Sequence, residues 1–196
     1  MSQPENKRQA QAPVDPMFLA RWSPRAIDSR PVEPEKLESL FEAARWAPSA
    51  YNEQPWIFLY ASEEDDLKLY RPLFNDMNLS WCAKAPVLGF ILVSKNFKHN
   101  SKPNAYAGFD AGAAWMSLAL QAQKLGLYTH AMAGIHHDKA YETLDVPKDD
   151  YQVICGLAIG YMGDSGGLPD PLKAREAPND RKPLKEVFCA GKFPGA

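Results

Sequence analysis

Arg21-Trp22-Ser23-Pro24-Arg25 sets two guanidinium groups four residues apart around a hydroxyl, with Pro24 fixing the local turn. Guanidinium forks hold phosphate oxygens through paired N–H donors, and a serine hydroxyl adds a neutral donor, so the segment can act as a phosphate clamp. Alone, it would serve equally well as a solvated turn carrying surface arginines. A second group, Ala47-Pro48-Ser49-Ala50-Tyr51-Asn52-Glu53-Gln54-Pro55-Trp56, leads from a helix end into a strand through small and amide side chains. Asn and Gln offer a donor and an acceptor together, which suits the edge of a heterocycle, and the same residues also suit a turn. Cation density returns at Pro178-Asn179-Asp180-Arg181-Lys182-Pro183-Leu184, after a Gly- and Pro-rich arm. Folded back on the first group, it would add positive charge to one dianionic phosphate.

Two other chemistries are excluded by spacing. His136-His137-Asp138 carries metal-ligand types, yet adjacent side chains point apart and no third ligand group stands at catalytic spacing. It reads as a loop with Asp138 as a helix N-cap. Ser49 lacks the Gly-x-Ser-x-Gly elbow of a hydrolase nucleophile.

The elements that must position these groups follow from periodicity. Apolar residues at 37, 40, 41 and 44 fall on one helical face, Pro34 suits the first turn, and Pro48 ends the helix. Trp56–Tyr60 and Val87–Val93 read as buried strands, and Glu63–Phe74 between them as a surface helix with acids in its first turn. Residues 105–125 form the longest helical candidate, rich in alanine and closed by Gly126, so it packs centrally and closely. Leu127–Ala133 is a third strand, Asp138–Leu144 a short helix and Tyr151–Tyr161 a fourth strand. Residues 1–14 are polar and read as a disordered tail. From about 163 to 196 the chain reads as an extended arm of the single domain 15–196. Interleaved strands and helices without repeats give an α+β layered fold, with a central mixed sheet of four or five strands flanked by helices.

Composition bounds the function class. A chain of 196 residues with 45% hydrophobic content can build one sizeable core. Acids and bases nearly cancel at 24 against 22, so bulk attraction to nucleic acid or an anionic membrane is excluded as the main activity. No apolar run approaches the roughly 18 residues of a membrane span, and the start has no signal-peptide core, which points to a cytoplasmic protein. Three distant cysteines imply neither a disulfide framework nor a Cys-x-x-Cys metal site.

Taken in order, the segments resemble the nitroreductase family of FMN-dependent oxidoreductases. The resemblance runs from about residue 17 to 188. Besides the three groups above it includes Asn78-x-x-Trp81, Ala85-Pro86-Val87, Asp110-x-Gly112-x-Ala114, Leu125-Gly126-Leu127 and Leu157-Ala158-Ile159-Gly160-Tyr161. It implies an intertwined homodimer with two FMN sites at the interface, residues 21–25 and 181–182 coming from one protomer and 48–54 from the other. Carried over by position, Arg21, Ser23 and Arg181 would hold the phosphate beside Trp22, while Arg25 would reach the ribityl chain and the N1/O2 edge of the ring. Pro48, Ser49, Ala50 and Asn52 would line the cofactor from across the interface. Gly134 and the backbone of Ala133 would face flavin N5, with Asn78 nearby. Some members carry an acid where this chain has Ala133.

The implied activity is ping-pong transfer of two electrons from NADH or NADPH to a nitroaromatic, a quinone or another electron-poor small molecule. Flavin N5 carries the chemistry, so no catalytic side chain and no metal are required. An FMN sensor or storage protein, or a reductase dedicated to one halogenated or unsaturated metabolite, would share the same contacts. No Gly-x-Gly-x-x-Gly fingerprint or ribose-reading acid selects between the two nicotinamides.

Overall fold

Four apolar segments become strands, and the amphipathic segments between them become the helices that cover both faces of the sheet. The computed structural model describes residues 4–193, so residues 1–3 of the expected tail and 194–196 of the expected arm lie outside the described residues. The chain runs through α1 (Met17–Ala20), α2 (Pro34–Arg45), β1 (Trp56–Ala61), α3 (Glu64–Tyr70) and α4 (Asp76–Cys82). It continues through β2 (Val87–Ser94), α5 (Ala107–Lys124), β3 (Tyr128–Met132), α6 (His137–Thr143), β4 (Tyr151–Gly160) and α7 (Asp170–Lys173). None of the described helices is long and apolar enough to cross a membrane.

The sheet order is β1-β2-β4-β3. All three pairings are antiparallel, which corrects the expected mixed sheet. Helix-bearing connections do not require parallel neighbours. Burial on both faces requires only helices above and below, and an antiparallel sheet covered in that way also has continuous apolar strands. β2 is the clear case, with every residue from Val87 to Val93 buried.

Alternate strand positions feed different layers. On one face Val87, Leu157 and Ile159 pack with Leu40 and Ala44 of α2 and Ala114, Leu118 and Ala122 of α5. On the other, Leu88, Phe90 and Ala158 pack with Leu67 of α3 and Trp81 of α4. The alanines of α5 allow close approach to α2, where Gln121 also donates to the Ser39 hydroxyl at 2.9 Å. Gly126 ends α5 with φ +71°, the left-handed conformation that favours glycine.

Two local expectations change. Residues 63–74 divide into α3 and a 3-10 turn at Arg71–Leu73, because Pro72 supplies no backbone N–H to continue the α pattern. Asp138 lies inside α6 rather than at its N-cap, which is His136. Its carboxylate accepts from Lys148 Nζ at 2.8 Å instead of closing the helix end.

Candidate functional site

Residues 21–25 are irregular backbone held from four sides. The Arg21 N–H closes α1 by donating to Met17 O at 2.9 Å. From the N-terminal segment, Arg8 donates to Leu19 O at 2.9 Å, to Arg21 O at 2.8 Å and to Asn179 O at 2.7 Å, so one guanidinium ties the start of the clamp to the C-terminal arm. From α7's end, the buried Glu176 accepts through Oε1 from the N–H groups of Arg25 at 2.7 Å and Ala26 at 2.8 Å. From β3, His130 Nδ1 lies 2.9 Å from Pro24 O.

These supports open a cleft of about 620 Å³ lined by Arg21, Trp22, Ser23 and Arg25, by Arg175 and Arg181 of the arm, and by Arg8 and His130. Arg21 Nη1 donates to Ser23 Oγ at 3.2 Å, so the hydroxyl sits within the guanidinium's reach. Trp22 is buried and meets Tyr128 edge-on, with ring centroids 6.3 Å apart, so most of its surface belongs to the core. Arg21's guanidinium is held below its ordinary range by burial and then by the charges of Arg8 and Arg181. Arg8 is lowered likewise by burial and Arg181, with Asp180 opposing. Among the described residues none of the five arginines of this cleft forms an ion pair. Five clustered cations without carboxylate partners repel one another; Arg8 spends most of its donors on carbonyls, so Arg21, Ser23 and Arg25 of the clamp, with Arg175 and Arg181 of the arm, are the donor set that fits a phosphate dianion.

A second locus is the turn after α2. Tyr51, Asn52 and Gln54 all take positive φ, at 55°, 56° and 50°. Such backbone is unfavourable for tyrosine and persists where its surroundings over-determine it. The restraints are visible. Asp110, buried at the start of α5, accepts from the Ala50 N–H at 3.1 Å. Ser49 Oγ accepts from the Gln54 N–H at 3.0 Å, and buried Glu53 accepts from the Lys98 N–H at 2.7 Å. The turn presents Tyr51, Asn52 and Gln54 to a second, open cavity of about 700 Å³, which Trp56, Lys98 and His99 also line. Pro48, Ser49, Ala50 and Asn52 therefore stand outside the arginine cleft of their own chain.

A third locus joins α4 to the end of β3. Asn75 Oδ1 caps α4 by accepting from the Asn78 N–H at 3.0 Å, while the Asn75 N–H and Asn78 Nδ2 both donate to Gly134 O, at 3.1 and 2.9 Å. A Cβ at position 134 would lie 2.4 Å from Asn75 Nδ2 and 2.6 Å from Asn78 Nδ2, so close approach requires glycine here. Ala133 is exposed and offers no polar side chain. The Gly134 N–H has no acceptor among the described residues.

The sequence-predicted residues thus fall into three groups, with Arg21, Trp22, Ser23, Arg25 and Arg181 lining one cleft. Arg8, Arg175 and His130 were not anticipated. Arg8 sits in a segment whose composition reads as a tail, and His130 occupies an ordinary strand position. Only the convergence of distant segments marks either one.

A family profile described as "Nitroreductase family" matches residues 19–80 and 69–161. A relative in Archaeoglobus fulgidus, named "Putative NADH dehydrogenase/NAD(P)H nitroreductase", is 32% identical over 152 residues, which are 76% of this chain and 84% of that protein. A solved structure described as an oxidoreductase containing FMN superposes with a TM-score of 0.92 at 45% identity, each chain covering 100% of the other. A nitroreductase family protein from Clostridium difficile 630 shares the fold, with a TM-score of 0.70 at 24% identity over 90% of this chain and 97% of that one. An α+β sheet covered on both faces by helices, as in these solved structures, defines the fold class. Within that class, this chain belongs to the nitroreductase family.

Proposed function

We propose that this protein is an FMN-dependent oxidoreductase that draws electrons from NADH or NADPH and delivers them to an electron-poor small molecule such as a nitroaromatic or quinone. The observation that carries this reading is the cluster of unpaired arginines at 8, 21, 25, 175 and 181 around the Ser23 hydroxyl. The family membership and the 45% identity to an FMN-containing oxidoreductase support it.

When bound, FMN supplies the redox chemistry: it accepts a hydride at N5 and passes two electrons on. The residues of this chain supply binding and charge. Arg21, Ser23 and Arg181 would hold the phosphate, with Trp22 backing the cleft. Arg25 would set a positive charge near the N1/O2 edge and favour the reduced, anionic ring, a preorganised electrostatic effect. The Gly134 N–H, held in place by Asn75 and Asn78, would be a donor toward N5, and the exposed Ala133 leaves that approach without a side-chain acid. Pro48, Ser49, Ala50 and Asn52 would serve the site of a second subunit. Their separation from the arginine cleft supports an intertwined homodimer with shared sites.

The test is spectroscopic. Freshly purified protein should be yellow, should bleach on anaerobic addition of NADH or NADPH, and should regain colour when a nitroarene or quinone is added. Protein that is yellow but does not bleach with either nicotinamide would be a sensor or store of FMN rather than a reductase. Colourless protein that takes up no added FMN would end the cofactor assignment.

A further inference from the structure

We infer that His130 is a proton-coupled member of the phosphate site, taking up a proton as the dianion enters the arginine cleft. The inference rests on the FMN reading above and extends it to a residue that reading does not use.

His130 sits mid-strand in β3, paired with Ala158 of β4. Its ring lies 4.7 Å from that of Trp81 in α4, and its Nδ1 meets Pro24 O at 2.9 Å. A carbonyl only accepts, so Nδ1 carries a proton in every charge state. In the neutral ring the lone pair is therefore on Nε2, and among the described residues Nε2 has no donor. The cleft's charged groups, meanwhile, are all donors: Arg21 and Arg25 from the clamp, Arg8 from the N-terminal segment, and Arg175 and Arg181 from the arm. A neutral imidazole would thus bring an unpaired lone pair to the wall of a cleft whose charged groups are donors. Protonation turns that acceptor into a donor.

The groups facing the ring account for its neutrality before an anion arrives. Burial lowers the pKa of His130 first, the Pro24 carbonyl raises it, the charges of Arg25 and Arg21 lower it further, and the Ser23 carbonyl raises it slightly. Trp81 and Ala158 carry no titrating group. The neighbouring carboxylate, Glu176, is committed through Oε1 to the N–H groups of Arg25 and Ala26. A phosphate dianion offsets the two arginines and gives the imidazolium a partner, so the pKa must rise on binding, and protons must be taken up in the interval between the two values.

Calorimetric titration of the folded apoprotein with FMN at about pH 7, in two buffers of different ionisation enthalpy, measures the uptake. A binding heat that changes with the buffer, in the sense of proton uptake, is expected. His130→Gln, whose amide can still donate to Pro24 O, should bind several-fold more weakly and show no buffer-dependent heat. An NMR titration of the His130 ring in free and FMN-loaded wild-type protein gives the same answer without a variant, with a rise of about one unit or more expected on loading, equivalent to roughly tenfold linkage. Binding with buffer-independent heat and an unmoved imidazole pKa would overturn this inference and leave the cofactor reading standing. No FMN binding by folded protein at any pH would overturn both.

Discussion

Arg21 is the half-buried cation at the centre of the cleft, in hydrogen-bond contact with Ser23 and close enough to Arg8 and Arg181 to feel both charges. Arg21→Ala should cost on the order of 1.5–3 kcal/mol of FMN affinity, about a 10- to 150-fold rise in Kd, because one charge-assisted phosphate contact is lost. Apoprotein titrated with FMN measures this, and an unchanged Kd would remove Arg21 from the clamp. His130 makes a second prediction, in the absence of ligand. Its folded pKa lies below the ordinary histidine value, so the unfolded chain binds more protons as the pH falls through about 6.5, and the apoprotein must lose stability there. The depressed carboxyls of Glu33, Glu42, Glu64 and Asp138 lose their contributions only as the pH falls from the ordinary carboxylate value downward, below this window. Thermal unfolding of the apoprotein should therefore decline between about pH 7 and 5.5, and His130→Gln should flatten that decline. Equal slopes for the two proteins would assign the loss elsewhere.

At the scale of elements, the clamp depends on a latch. Glu176 Oε1 takes both backbone donors at residues 25 and 26, whereas its Oε2 is buried without a partner. Glu176→Ala leaves two donors unsatisfied and frees the arm that carries Arg175 and Arg181. A loss of roughly 2 kcal/mol is expected, together with faster proteolysis after residue 174. Unchanged cleavage and melting would show that the arm is held by other contacts. The sequence made the larger elements legible because α2, α5, β1, β2 and β4 each carry a periodicity or apolar run, and Gly126 marks where α5 must stop. α4 was not legible. It spans only Asp76–Cys82, and its start is fixed by the Asn75 cap and the link to Gly134, which are tertiary contacts. Sheet polarity escaped for a similar reason, since strands covered on both faces look alike whether parallel or antiparallel. Within the site, paired arginines and a serine announce themselves by type and spacing. His130 and Arg8 do not, because what they do depends on which distant carbonyls they meet.

For the whole molecule the central question is what covers the turn at 50–52. Trp46 is 74% exposed just before it, Tyr51 80% exposed within it, and Phe109 80% exposed on the helix whose Asp110 anchors it. These three large exposed aromatic side chains, on the strained turn and on the elements flanking it, are groups of the kind an interface buries. Strain in the backbone at Tyr51, Asn52 and Gln54 gives that turn a fixed shape, and the amide side chains there have no arginine cleft of their own chain to serve. A second copy would bury the aromatics and place residues 48–54 beside its cleft. Sedimentation or light scattering should therefore find twice the chain mass at low micromolar concentration. Phe109→Glu sets a charge on this surface without touching the arginines or Ser23. It should shift the protein toward monomer and lower flavin retention in parallel, since each site would lose its contribution from across the interface. A Phe109→Glu monomer that keeps FMN with wild-type affinity would show that one subunit holds the cofactor alone, and the strained turn would then need another purpose.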